Sequence, residues 1–313
     1  MNFFLRHWSF DPMLILLLLT ILAHERGLWR LKVRSSVART KRRRRSSYVF
    51  YSGLLLFDLA IESPIDFWSS SYFYVHMLEH ILLSFFAPML IVAGAPWVPL
   101  MFALPVRVRR SLGRFLYLSS KAESLRIVAR FIRNPWFAVV SFNLTMLVWH
   151  IPSWFNAAAQ NSMVHIWLMH GSFIATGLLF WLQIIPSHPL RPARGPVFQV
   201  GAIIATNLIM TILAISMSIL TTASWYSTYN HVPGVTLSPF ADQQIGAAIL
   251  WVCGDFWALP VILVIIRRAI ENEGSVSGAF DRLMGRSAAP TIASFRRSTA
   301  RGESAATTDA AVE

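Results

Sequence analysis

The chain has 313 residues, 55% hydrophobic and only 14% charged, with a mean hydropathy of +0.51 and a formal charge of +13. That apolar content, with 12 Trp and 22 Phe, excludes a soluble domain with a large core and predicts a membrane protein. So basic a soluble chain would point to nucleic acid, but here the Lys and Arg residues lie between apolar stretches, which excludes nucleic acid and assigns them to anionic membrane lipids.

A membrane-crossing helix needs about 20 largely apolar residues. Seven spans are expected, at 10–29, 47–63, 72–95, 135–154, 162–185, 197–221 and 243–266. The first follows MNFFLRHWSFDP, has no small-residue cleavage site and ends in HERGLWRLK, so it reads as a retained span and not as a cleaved signal peptide. The second is short and carries Asp58 and Glu62, four apart toward one end.

Charge alternates sharply between these spans. The stretch 26–45 holds ten Lys or Arg, including KRRRR at 41–45, and 97–133 holds eight more. Arg191 and Arg194 follow the fifth span, and seven basic residues follow position 266. The segments 64–71, 155–161 and 222–242 contain none. By the positive-inside rule the amino terminus is outside and the carboxyl terminus cytoplasmic. The expected fold class is therefore all-α, a polytopic membrane bundle of seven transmembrane helices formed by 1–271, followed by a disordered cytoplasmic tail, 272–313, rich in Ser, Ala, Thr and Gly. Residues 105–133 read as amphipathic segments on the inner surface, and Asn134 before Pro135 marks a helix start. The single cysteine, Cys253, permits no intrachain disulfide.

Nine histidines are present, and five of them, His76, His80, His150, His165 and His170, fall within or at the rim of apolar stretches, all toward the outer face. Imidazole is costly in hydrocarbon unless it is paired, lines a cavity or binds something. His76 and His80, in YFYVHMLEHILL, are four apart and share a helix face, with Glu79 on its flank. Two imidazoles at that spacing can ligate one metal ion while a carboxylate completes the shell or orients a ring. The pattern is not that of zinc peptidases, because Glu79 immediately precedes the second histidine. His165 and His170 are five apart, which on a regular helix separates them by roughly 140°. They either enter different pockets or are brought together by a local irregularity near Gly171. Hydrogen-bonded packing is the alternative to a metal role at each of these positions.

Other residues read more simply. His7, His188 and His231 fit ordinary surface positions, and His24 beside Glu25 reads as a paired structural residue. Asp242, in SPFADQQIG, is expected to cap the last span, and Asp255 lies midway along it. Met210 and Met217 share a face of the sixth span, while Met77 and Met169 neighbour the histidines. Thioether with imidazole suits copper(I), although core packing accounts for most methionines.

The stretch HMLEHILLSFFAPMLIVAGAPW from His76, with WHIPSWFNAA from Trp149, VHIWLMHGSFIATGLLFW from Val164 and DQQIGAAILWVCG from Asp242, resembles the bacterial CtaG proteins, the caa3-type cytochrome c oxidase assembly factors. The resemblance covers about 8–268. It implies a multi-pass protein of the bacterial plasma membrane, not an enzyme, that assists assembly of haem-copper oxidases by helping copper reach the catalytic subunit or its assembly intermediates. The family's histidine pair falls on His76 and His80, its histidine before proline on His150, and its later pair on His165 and His170. Leu250 stands where the family often has methionine. With one cysteine and seven spans the chain differs from the single-span copper chaperones of the Cox11 type.

The expected metal residues are thus His76, His80, His165, His170, His150, Asp58 and Glu79, with copper as the ion and zinc as the other candidate. A non-metal scaffold for oxidase assembly is the alternative function. Haem binding would need axial histidines on facing helices, and transport would use Asp58 and Asp255 as relays, though the spans show no inverted repeat.

Overall fold

The computed structural model describes residues 7–8, 12–33 and 35–273, so the expected tail from 274 onward lies outside the described residues. Among these the chain is all-helical, with one isolated bridge pairing Ser187 and Leu190. Twelve α-helical elements follow in order: α1 (Pro12–Lys32), α2 (Val37–Glu62), α3 (Pro64–Ser69), α4 (Phe73–Gly94), α5 (Trp97–Ala103) and α6 (Val106–Leu118). Then come α7 (Glu123–Ile132), α8 (Pro135–Trp149), α9 (Pro152–Ala159), α10 (Val164–Ile184), α11 (Pro196–Ser218) and α12 (Pro239–Glu273).

Four of them, α4, α10, α11 and α12, are long and apolar enough to cross a membrane. A fifth span results if α8 and α9, which meet at 76°, are counted as one broken span. The expected span at 135–154 is therefore not one straight helix. Pro152 cannot supply the backbone N–H that would continue α8, and the helix ends at Trp149. Helices α1 and α2 mix apolar runs with charge: Glu25, Arg26 and Arg30 in the first, KRRRR, Asp58 and Glu62 in the second. The basic run is itself helical, as arginine and lysine favour, so α2 begins ten residues before the expected boundary at 47.

Local chemistry explains the boundaries. The Asn134 side chain accepts from the Trp136 and Phe137 N–H groups, and Pro135 opens α8 as its sequence predicts. Ala95, at φ 49°, ends α4 in the left-handed region ahead of Pro96. Small residues let α4 sit against two neighbours. A Cβ on Gly94 would lie 2.5 Å from the Phe50 nitrogen of α2, and one on Gly177 of α10 would lie 2.5 Å from the Ser84 oxygen.

The core runs beside α4. Phe85, Phe142, Phe180 and Trp181 are all fully buried and meet ring to ring, Phe142 stacked on Phe180 at 4.7 Å and Phe85 edge-on to Phe142 at 5.0 Å. Toward the other end of α4, Phe73, Phe155 and Tyr226 form a second aromatic group, with Phe73 stacked on Tyr226 at 4.5 Å. Val261 begins a second compact unit, whose described part continues as helix and bonds Arg267 Nε to Glu271 Oε1 at 2.7 Å.

Candidate metal centre

His76 and His80 project from adjacent turns of α4, and their rings meet edge to face at 4.3 Å. Opposite them, His165 and His170 have ring centroids 4.2 Å apart despite the five-residue spacing. The reason is local: Val164–His170 is a π-helical turn, not an α-helical one. Its hydrogen bonds close at i→i+5, so residues five apart come to lie one turn above another. Of the two readings open in the sequence, the irregular helix is the one adopted.

The four histidines converge. One ring nitrogen from each lies within 4.8 Å of the others, a set that could hold a metal ion. His76 Nε2 and His165 Nε2 are 3.3 Å apart, about the edge of a tetrahedron with metal–nitrogen bonds of about 2.0 Å. Three of the rings are buried, and His165, half-buried, is the least enclosed. Both nitrogens of His80 and both of His170 are buried without a hydrogen-bond partner among the described residues. Such orphaned acceptors and donors are expensive in an apolar site, and a metal ion held by the four rings would satisfy one nitrogen of each.

The surroundings orient the rings. The Tyr229 hydroxyl lies 2.9 Å from the Ser69 carbonyl, which can only accept, and 2.8 Å from His76 Nδ1. Its one proton goes to the carbonyl, so it accepts from His76 Nδ1–H, and the Nε2 lone pair is left facing the cluster. Burial pushes the Tyr229 hydroxyl well above the ordinary phenol range, with Glu79 and Asp242 acting in the same direction, so it keeps that proton. Glu79, fully buried, places Oε1 3.2 Å from His170 Nε2, an ion-pair distance without hydrogen-bond alignment. A carboxylate there supplies negative charge beside any bound cation.

Asp242 does not act as expected. It lies in the first turn of α12, but its carboxylate accepts from the Phe73 and Tyr74 N–H groups at 2.8 and 2.9 Å. It therefore caps α4, the helix that carries His76 and His80, whose own preceding residue Tyr72 makes no side-chain cap.

His150, Glu79 and Asp58 stand outside the set of four. His150 is 6.0 Å from His80 by ring centroids. Asp58, on α2, has one buried oxygen without a hydrogen-bond partner among the described residues. His24 is paired as its sequence context predicts, its Nδ1 2.8 Å from the Tyr51 hydroxyl.

A model of cytochrome c oxidase caa3 assembly factors matches residues 23–272. The chain belongs to that family. The match spans nearly all of the segment over which the HMLEH and VHIWLMH motifs suggest the kinship. Among curated relatives, uncharacterized proteins of Mycobacterium bovis and Mycobacterium tuberculosis are each 29% identical over 209 residues, 65% of this chain and 30% of theirs. One from Mycobacterium leprae is 27% identical over 219 residues, covering 69% of this chain and 32% of its own. The chain thus spans about a third of the length of these relatives. No solved structure matches.

Tyr229, Asp242 and Phe155 shape the site although their sequence gave no metal-like pattern. The available signal was indirect: all three lie in or near 155–161 and 222–242, the Lys- and Arg-free segments expected on the face where the histidines cluster.

Proposed function

We propose that this protein assists assembly of a caa3-type cytochrome c oxidase by capturing copper on the outer side of the bacterial plasma membrane and passing it to the oxidase catalytic subunit. The observation that carries the reading is the set of four imidazoles with ligand atoms within 4.8 Å, buried among aromatic rings and joined by no thiolate. Imidazole alone binds copper, and zinc, without the near-irreversible hold of cysteine, which suits an ion that must be handed on. His165, the most accessible of the four, is the entry point, and Glu79 and His150 act from just outside the ligand set. Asp58 serves the same site from α2 as an outer acidic group. The role is non-catalytic.

In this reading the chain crosses seven times, with α1, α2 and the α8–α9 pair completing the four apolar spans, an outer amino terminus and a cytoplasmic carboxyl end. Support comes from the charge alternation and from the cluster's position beside the loops that lack Lys and Arg. Copper binding by detergent-purified protein, compared with a His76→Ala, His80→Ala variant, is the direct test. Loss of one tightly bound ion in the variant is expected, and equal stoichiometry and affinity in both would remove the proposal.

A second reading has its own support. The Ser69–Tyr229–His76 chain of hydrogen bonds is what a purely structural network would contain. A scaffold of that kind predicts that the double variant binds no less metal but no longer associates with oxidase subunits.

A further inference from the structure

His150 sits at the break between α8 and α9, buried at 2% exposure. Its Nδ1 lies 2.6 Å from the Met146 carbonyl, which can only accept, so Nδ1 carries the proton. In the neutral ring Nε2 is then a bare lone pair. That lone pair faces Met77 Sδ at 3.3 Å, and Met77 is itself 1% exposed. A thioether also offers only lone pairs. Two acceptors therefore meet in a buried place with no hydrogen between them, an arrangement that repels unless a cation joins them.

We infer that His150 and Met77 form a second metal position, specific for a soft monovalent ion such as copper(I), distinct from the four-histidine set. Neither residue belongs to that set, so the pair stands on its own geometry whether or not the set holds an ion. Thioether sulfur with one imidazole selects copper(I) over zinc or magnesium. With bonds of about 2.0 Å to nitrogen and about 2.3 Å to sulfur, a 3.3 Å separation lets one ion touch both donors at roughly a right angle. That bent geometry leaves room for a third donor. His80 fits, its ring 6.0 Å from that of His150 and both its nitrogens without a hydrogen-bond partner among the described residues. An ion at this position is one imidazole away from the four-histidine set, so His80 links the two.

The test uses full-length protein in detergent under anaerobic, reducing conditions, titrated with copper(I) against a competing chelator, with zinc uptake measured in parallel. Met77→Leu nearly keeps the volume of the side chain and removes the sulfur. The expected result is a fall in copper(I) affinity of tenfold or more, loss of the sulfur scatterer from the copper X-ray absorption spectrum, and unchanged zinc uptake. Selenomethionine-substituted protein, which needs no change of fold, should replace that sulfur scatterer with selenium. A wild-type spectrum with nitrogen scatterers alone, or copper(I) affinity unchanged in Met77→Leu, would overturn the inference and leave His150 and Met77 as a packed pair. Failure of the four-histidine reading shows differently: zinc uptake would then be insensitive to His76→Ala, His165→Ala, whatever Met77→Leu does to copper(I).

Discussion

At the scale of single residues, the site depends on groups that choose which nitrogen each histidine presents. His76 is held by Tyr229 from 153 positions away, and no spacing rule reaches that far. The pair His76 and His80 was legible because four residues is one helical turn; Tyr229 was not, because its role exists only once the loop between α11 and α12 folds back onto α4. Tyr229→Phe removes the acceptor and strands a buried N–H, which costs about 1–3 kcal/mol. Thermal unfolding of the purified variant should show that loss, and copper or zinc affinity should drop about 10- to 100-fold as the ring loses its orientation. Unchanged metal affinity together with lowered stability would assign Tyr229 to packing alone. Asp242→Ala is predicted to act through α4 instead: two N–H groups lose their cap, at a cost of about 0.5–2 kcal/mol, visible as a lower melting temperature.

At the scale of elements, the π-helical turn Val164–His170 is the feature that unites the site. Regular helical phase, the only geometry a sequence supplies in advance, puts His165 and His170 about 140° apart; the structure absorbs one extra residue so that both face inward while the rest of α10 keeps its register. The same limit explains α8, whose apolar run reads as one span to 154 although Pro152 enforces a 76° break beside His150. A π turn of this kind is a helix with one residue too many, which gives a prediction with a direction. Deleting Leu168, which is 56% exposed and contributes nothing to the core, leaves the two histidines four apart on a regular helix. Metal affinity should then stay within a few fold of wild type. Inserting one alanine after Leu168 should abolish binding, because no common turn accommodates a spacing of six. Metal titration of both variants decides it, and equal loss in the two would mean that the π turn is not what aligns the rings.

At the scale of the whole molecule, the membrane character and the helical class follow from composition, while the number of crossings does not. Four or five helices qualify by length and hydropathy, and α1 and α2 depend on how the bilayer treats Glu25, Arg30, Asp58 and Glu62. Glu25 is already partnered, accepting from Arg44 and from Tyr51, each at 2.6 Å, which lowers the cost of holding it near an apolar layer. The helices α6 and α7 bury none of their residues and carry exposed Leu112, Phe115, Ile127 and Phe131 beside Arg110, Arg114 and Arg130. Apolar side chains interleaved with cations in this way suit a membrane surface lined with anionic lipid, which is the cytoplasmic face in the proposed topology. Seven crossings from an outer amino terminus would put Lys41 and Lys121 on the inner side and Thr236 on the other, with the histidine cluster. In a Cys253→Ser background, single cysteines placed at Lys41, Lys121 and Thr236, all exposed, separate the alternatives. A membrane-impermeant thiol reagent applied to intact cells should label only Thr236→Cys, and lysis should expose the other two. Labelling of Lys41→Cys in intact cells would invert the first hairpin, and labelling of Lys121→Cys would move the basic face outward, against the charge alternation from which the topology is argued.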